Sequence, residues 1–145
     1  LLAEKGLEKL LHNIWVKPGK PVWFGKSKSG GFVFGMPGNP VSVQSCFKIF
    51  VEPFVRKISG HRHPESFFLK LPLSSKLFSK TNREHFMPGR FTIHDNQTHI
   101  EPVIVKGSGD FANFERSQGL IRILADQHQV DSSTVMEFLP WREVW

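Results

Sequence analysis

Apolar residues follow two different rhythms along this chain. Leu2, Leu7, Leu10 and Leu11 recur at helical spacing and predict an amphipathic helix over the first dozen residues, one that starts upstream of Leu1. Short apolar runs at 12–16, 22–24 and 32–34 then read as strands, separated by the Pro18-Gly19-Lys20-Pro21 bend and a polar Ser/Gly turn at 26–31. From about residue 40 to 58 the rhythm becomes helical again. Val43, Phe47, Phe50, Phe54 and Ile58 are spaced to share one face, and Pro53 inside the run predicts a bend near Ile49 in a single helix.

The segment 59–66 has no apolar period and is rich in helix breakers, so it divides the chain into residues 1–62 and 63–145. Beyond it the runs 67–78, 83–94, 99–105, 119–125 and 134–139 are short, rich in Phe, Leu, Ile and Val, and bounded by turn residues. Asp95-Asn96-Gln97 reads as a hairpin turn. The fold class expected is α/β followed by all-β: part of a doubly wound α/β domain, then a small C-terminal β-barrel.

The most informative local pattern is Met36-Pro37-Gly38-Asn39-Pro40-Val41-Ser42, between a strand and the long helix. Asn39 is placed to cap the helix, and Pro40 suits the first helical position because its missing N–H would have no intrahelical partner. Such a start can face an anion. A plain helix cap is the competing reading, and the two are compatible.

Charge strengthens the anion reading. The net charge of +6 conceals an asymmetry: residues 1–90 hold 15 Lys/Arg against 5 Asp/Glu, a balance of +10, whereas residues 91–145 hold 4 against 8, a balance of −4. A basic first part suits a phosphorylated small molecule or a nucleic acid. The single cysteine, Cys46, rules out an intrachain disulfide and a Cys-rich zinc site, and its place on the helix predicts a buried thiol. No apolar run approaches the roughly 20 residues of a membrane span. A reducing cytoplasm is the expected setting, with no membrane partner.

Taken in order, Lys17-Pro18-Gly19-Lys20-Pro21, the Gly35-to-Ser42 segment, Pro53 and Gly60, and Gly107-Ser108-Gly109 followed by Gly119-Leu120-Ile121 resemble the C-terminal part of the molybdopterin molybdenumtransferases, the family of bacterial MoeA and the equivalent portion of gephyrin. The resemblance implies molybdenum cofactor biosynthesis: insertion of molybdenum from molybdate into adenylylated molybdopterin, with Mg²⁺-dependent cleavage of the adenylate and release of AMP. It also implies a homodimer in the full-length enzyme. Most Mg²⁺ ligands and the acidic half of the pterin site are expected upstream, so this chain alone is expected to bind ligand at most, without turnover.

The resemblance also assigns oxyanion-binding roles. Lys17 and Lys20 would neutralise molybdate or phosphate oxygens; Pro37, Gly38, Asn39 and Pro40 would line the cleft, and Ser42 would add a hydroxyl. Arg83 matches the first arginine of a family segment whose second arginine is replaced by Pro88, and Arg90, two positions on, is the candidate substitute. Ser108 would present a hydroxyl between two glycines. For each there is a bland rival: a solvated loop, a helix cap, a surface arginine, an ordinary turn. The histidines at 61, 63, 94 and 99 read as surface or hydrogen-bonded residues, not metal ligands. Two functions from other classes compete with the transferase: a nucleic-acid-binding β module, weakened because the 14 Phe fall mainly at core spacings, and a non-catalytic scaffold piece.

Overall fold

The computed structural model describes residues 6–107 and 110–142. The first element is a strand, β1 (Leu7–His12), where a helix is expected. It pairs antiparallel with β3 (Trp23–Ser27), which pairs antiparallel with β4 (Phe32–Gly35), giving a three-stranded sheet in the order β1-β3-β4. The misreading has a local cause. The register shifts between Lys9 and Leu11, and the extra residue of such a bulge breaks the period of two, so Leu7, Leu10 and Leu11 mimic helical spacing.

The long helix runs without a break as α1 (Pro40–Cys46), a π-helical turn (Phe47–Val51) and α2 (Glu52–Ile58), with right-handed helical backbone at both joints. The Glu52 N–H reaches back five residues to the Phe47 carbonyl. Pro53 can offer no N–H to the turn before it, and the wider π turn immediately upstream is a common accommodation of such a gap. Its extra residue also rotates the helix faces. Phe47 is 50% and Ile58 60% exposed, while Ser45, Cys46 and Lys48 are buried, so the expected stripe is buried only in part. Phe54 still packs inward, edge-on to Phe24, Phe32 and Phe34 of the three-stranded sheet at 5.0–5.3 Å between centroids.

After residues 59–66 the chain is almost entirely β: β5 (Leu69–Pro72), β6 (Leu77–Phe78), β7 (Glu84–His94), β8 (Gln97–Pro102), β9 (Gly119–Ile123), β10 (Gln129–Val130) and β11 (Val135–Pro140), with one helical turn, α3 (Phe111–Phe114). The β7–β8 hairpin turns at Asp95 and Asn96, both at positive φ, as a tight turn of the hairpin type requires. A short antiparallel ladder joins β6 and β10. The main sheet runs β2-β7-β9-β11-β5, with β8 on the free part of β7. Here β2 is Val16–Lys17, a strand of the first segment that lies parallel to β7. A single parallel bridge, Leu73 to Ile100, links the end of β5 towards β8; no ladder forms along that seam, which stops short of a closed barrel.

The central strands are buried on both faces. Ile121 and Ile123 of β9 and Phe138 of β11 point into one cluster with Leu73, Leu77, Ile100, Val130 and Met136. Leu120 and Leu139 point the other way, to Val16, Phe86, Ile49 and Phe50. The second face is therefore covered by β2 and the long helix. Gly119 makes the close strand approach possible, because a Cβ there would lie 2.4 Å from the Leu139 carbonyl oxygen.

Candidate oxyanion cleft

The Lys17–Pro21 bend is fixed from three sides. Lys17 stands opposite His85 in the parallel pair, and the Arg83 guanidinium donates to the Val16 carbonyl at 3.2 Å and to Thr81 Oγ1 at 3.3 Å. The Lys17–Pro18 peptide is cis. Gly19 has φ +122, and a Cβ on it would fall 2.8 Å from Cys46 Sγ and 3.2 Å from Val16, so only glycine lets the bend rest on the helix. Cys46 is fully buried, as expected, and burial pushes its thiol up to about 11, leaving it protonated.

This packing opens a cleft of about 400 Å³ between the bend, the long helix and the β sheet. Lys17 and Pro18 come from the bend, Val41 and Ser45 from α1, Lys80 from the loop after β6, and His85 and Pro88 from β7; Val103 to Val105 and neighbouring apolar side chains complete the wall. The volume falls within the range of small-molecule sites, and so does the composition, mostly apolar with a few convergent polar groups. Both lysines are exposed, and no carboxylate among the described residues lines the cleft. Nor does either lysine have an ion-pair partner among the described residues. His85 is buried, with Nδ1 3.0 Å from Ser79 Oγ. Burial first, then the charges of Lys17 and Arg83, hold its pKa down at about 4, so the ring is neutral at neutral pH.

The expected site residues separate in this geometry. Lys17 lies in the cleft; Lys20 sits outside it, its ammonium 5.9 Å from the Trp15 ring centre. Asn39 caps the helix as expected, its side-chain oxygen accepting from the Val41 N–H at 2.9 Å, and Pro40 occupies the first turn. That cap occupies one of the N–H groups expected to face an anion. Pro37, Gly38, Asn39, Pro40 and Ser42 shape the entry to α1, but Val41 and Ser45 are the helix residues that reach the cleft wall. Arg83 secures β2 without lining the cleft. Arg90 pairs with Glu101, its opposite residue on β8, and lines a separate hollow of about 230 Å³ with Arg116. Pro88 thus faces the cleft while Arg90 does not. Ser108 lies outside the described residues.

Lys80 and His85 are the cleft residues that sequence reading missed. Nothing local marks them: their proximity to Lys17 comes from a parallel strand pair that joins residues nearly 70 positions apart. A wider groove, about 710 Å³, lies beside Phe91, Phe111, Phe114 and Trp141, but it presents Glu115 beside Arg142 and lacks the cleft's uniform charge.

Comparison with known proteins decides the family. Residues 1–57 match the probable molybdopterin binding domain, and residues 70–141 match the MoeA C-terminal region, domain IV. The chain belongs to the MoeA family. Curated relatives include molybdopterin molybdenumtransferases of Synechocystis, 28% identical over 96% of this chain and 33% of that protein, and of Haemophilus influenzae, 29% identical over 91% and 34%. Among solved structures, the molybdopterin biosynthesis moea protein from Pyrococcus horikosii superposes with a TM-score of 0.77 at 28% identity, covering 97% of this chain and 34% of that one. This MoeA chain therefore spans about a third of the length of the relatives it matches. Its cleft lies where the two family regions meet, with Lys17 and Val41 from the first and Lys80 and His85 from the second.

Proposed function

We propose that this chain serves as the C-terminal part of a molybdopterin molybdenumtransferase, and that the whole protein transfers molybdenum from molybdate into adenylylated molybdopterin with release of AMP. The observation that carries the reading is the cleft beside Lys17: cationic, with no carboxylate among its described residues and with apolar walls, at the junction of the two family regions. Lys17 holds ligand oxygens by charge. Arg83 keeps Lys17 in register through the Val16 carbonyl, Lys20 draws anions towards the bend from outside, and the Pro37-to-Pro40 turn with Ser42 sets the helix wall. Ser108 is proposed as a hydroxyl donor on family resemblance alone.

The family implies Mg²⁺, but among the described residues no three His, Cys, Asp or Glu side chains are grouped to hold a metal ion. These residues do not fit that ion, and no step is assigned to it. A cytoplasmic homodimer is the proposed form of the whole protein; no helix among the described residues is long and apolar enough to cross a membrane.

Titration with molybdate and with AMP by calorimetry tests the reading. Saturable binding at low ionic strength, weakened by added salt and reduced by Lys17→Met in a protein that still unfolds cooperatively, is the expected result. Absence of saturable binding of molybdate and of AMP alike to the unmodified chain at low salt would overturn it.

A further inference from the structure

We propose that Lys80 and His85 are specificity-determining residues of the Lys17 cleft and tune it to tetrahedral dianions, Lys80 supplying the second positive charge and His85 a ring N–H. The inference rests on the reading of the cleft as an anion site and goes beyond it by naming what distinguishes one anion from another.

Lys17 and Lys80 enter from different elements, the end of β2 and the loop between β6 and β7, and line one cavity with no carboxylate among its described residues. Two like charges without a counter-charge are best satisfied by a ligand that brings two negative charges of its own. The hydrophobic walls, Phe78, Phe86 and Met87 among them, lower the local dielectric and sharpen that match. His85 contributes differently. Its Nδ1 is engaged by Ser79, while Nε2 has no protein partner and is not among the buried, unsatisfied atoms, so it opens to solvent. In the tautomer in which the Ser79 hydroxyl donates to Nδ1, Nε2 carries the proton and offers a donor that is fixed in place. Burial beside Lys17 and Arg83 keeps that donor uncharged, so it adds direction without a third cation.

Free molybdate and the phosphate of a nucleotide or pterin share this chemistry. Molybdate, AMP and perchlorate, a tetrahedral monoanion of similar shape, should therefore be titrated against the unmodified chain and against Lys17→Met, Lys80→Met and His85→Gln, with the His85 ring ¹⁵N signals followed in the unmodified chain. One or both dianions should bind, and perchlorate should bind at least about tenfold more weakly. Lys80→Met should lose about tenfold in dianion affinity, the scale of one charged hydrogen bond, and most of the preference over perchlorate. Ligand should shift the His85 Nε2 signal. Molybdate binding alone identifies the free oxyanion as the source; AMP binding alone identifies a phosphate ester. Lys80 is exposed, so its variant tests the inference even if His85→Gln fails to fold. Binding that falls with Lys17→Met but is untouched by Lys80→Met would overturn the inference and leave the proposed function standing. Equal affinity for perchlorate would also overturn the inference alone. No binding of either dianion would overturn both.

Discussion

Two groups of charged residues in this protein are built on opposite plans. On the outer surface of the main sheet, Arg122 of β9 lies between Glu84 of β7 and Glu137 of β11, bonded to both carboxylates, 2.8 Å from Glu137, with its guanidinium 5.6 Å from the Phe68 ring centre. Each charge has a partner on the neighbouring strand, and the array ties three strands together. In the cleft, Lys17 and Lys80 face a neutral histidine and, among the described residues, no acid. Arg122 is neutralised by its neighbours on the sheet, whereas no ion pair among the described residues neutralises Lys17 or Lys80. The difference is the one that the proposed anion site at the cleft requires and the sheet array does not.

The strongest way to break the comparison is to displace the cleft wall while leaving the Arg122 array intact. Gly19→Val puts a β-branched residue at φ +122 against Cys46 and Val16, and should destabilise the chain by roughly 4 kcal/mol through combined strain and overpacking. Gly38→Ala, whose Cβ would meet nothing within 4 Å, should change stability by less than about 0.5 kcal/mol. Urea midpoints of both variants check the pair. A Gly19 variant as stable as the Gly38 variant would mean that the bend does not rest on the helix.

Acid should act on the cleft through His85. The unfolded imidazole takes up a proton near pH 6.5, the folded one only near pH 4. The neutral ring's contribution is therefore complete above pH 6.5 and is lost as pH falls towards 4, by roughly 3 kcal/mol at most. Denaturant unfolding of the unmodified chain and of His85→Gln between pH 7 and pH 4 isolates this component. Identical pH slopes would remove His85 from the account.

These contrasts also explain what the sequence could and could not convey. The runs at 83–94 and 99–105 became β7 and β8 nearly as expected, because alternation and the Asp95-Asn96 turn are local signals. The cap at Asn39 was legible for the same reason, being a contact over two residues. β1 was hidden by its bulge, and the buried helix face by a π turn that changes the phase of the apolar stripe. At the site, Lys17 was legible from the bend motif. Lys80 and His85 were not, since long-range strand pairing brings them there, and Arg90 lies outside the cleft, paired with a cross-strand glutamate.

A smaller effect should come from the paired array. Arg122→Met removes one side chain and leaves Glu84 and Glu137 on neighbouring strands without their shared partner. All three are about one-third exposed, which limits the loss to about 1–2 kcal/mol. A thermal melt of the variant matching that of the unmodified chain would show that the array contributes nothing to the fold.

The smallest change in stability is expected where the functional stake is greatest. Replacing both cleft lysines, Lys17→Met with Lys80→Met, removes two exposed ammonium groups that have no ion-pair partner among the described residues, so no favourable contact is broken. Mutual repulsion between them is relieved, and Lys17 no longer acts on His85, so stability should stay within about 0.5 kcal/mol and shift upward if it shifts. Added salt screens the same repulsion and should narrow the gap between variant and unmodified chain. Unfolding at two ionic strengths measures both effects. A double variant less stable by several kcal/mol would mean that the lysines support the fold as Arg122 does, and the distinction between the two charge groups would fail.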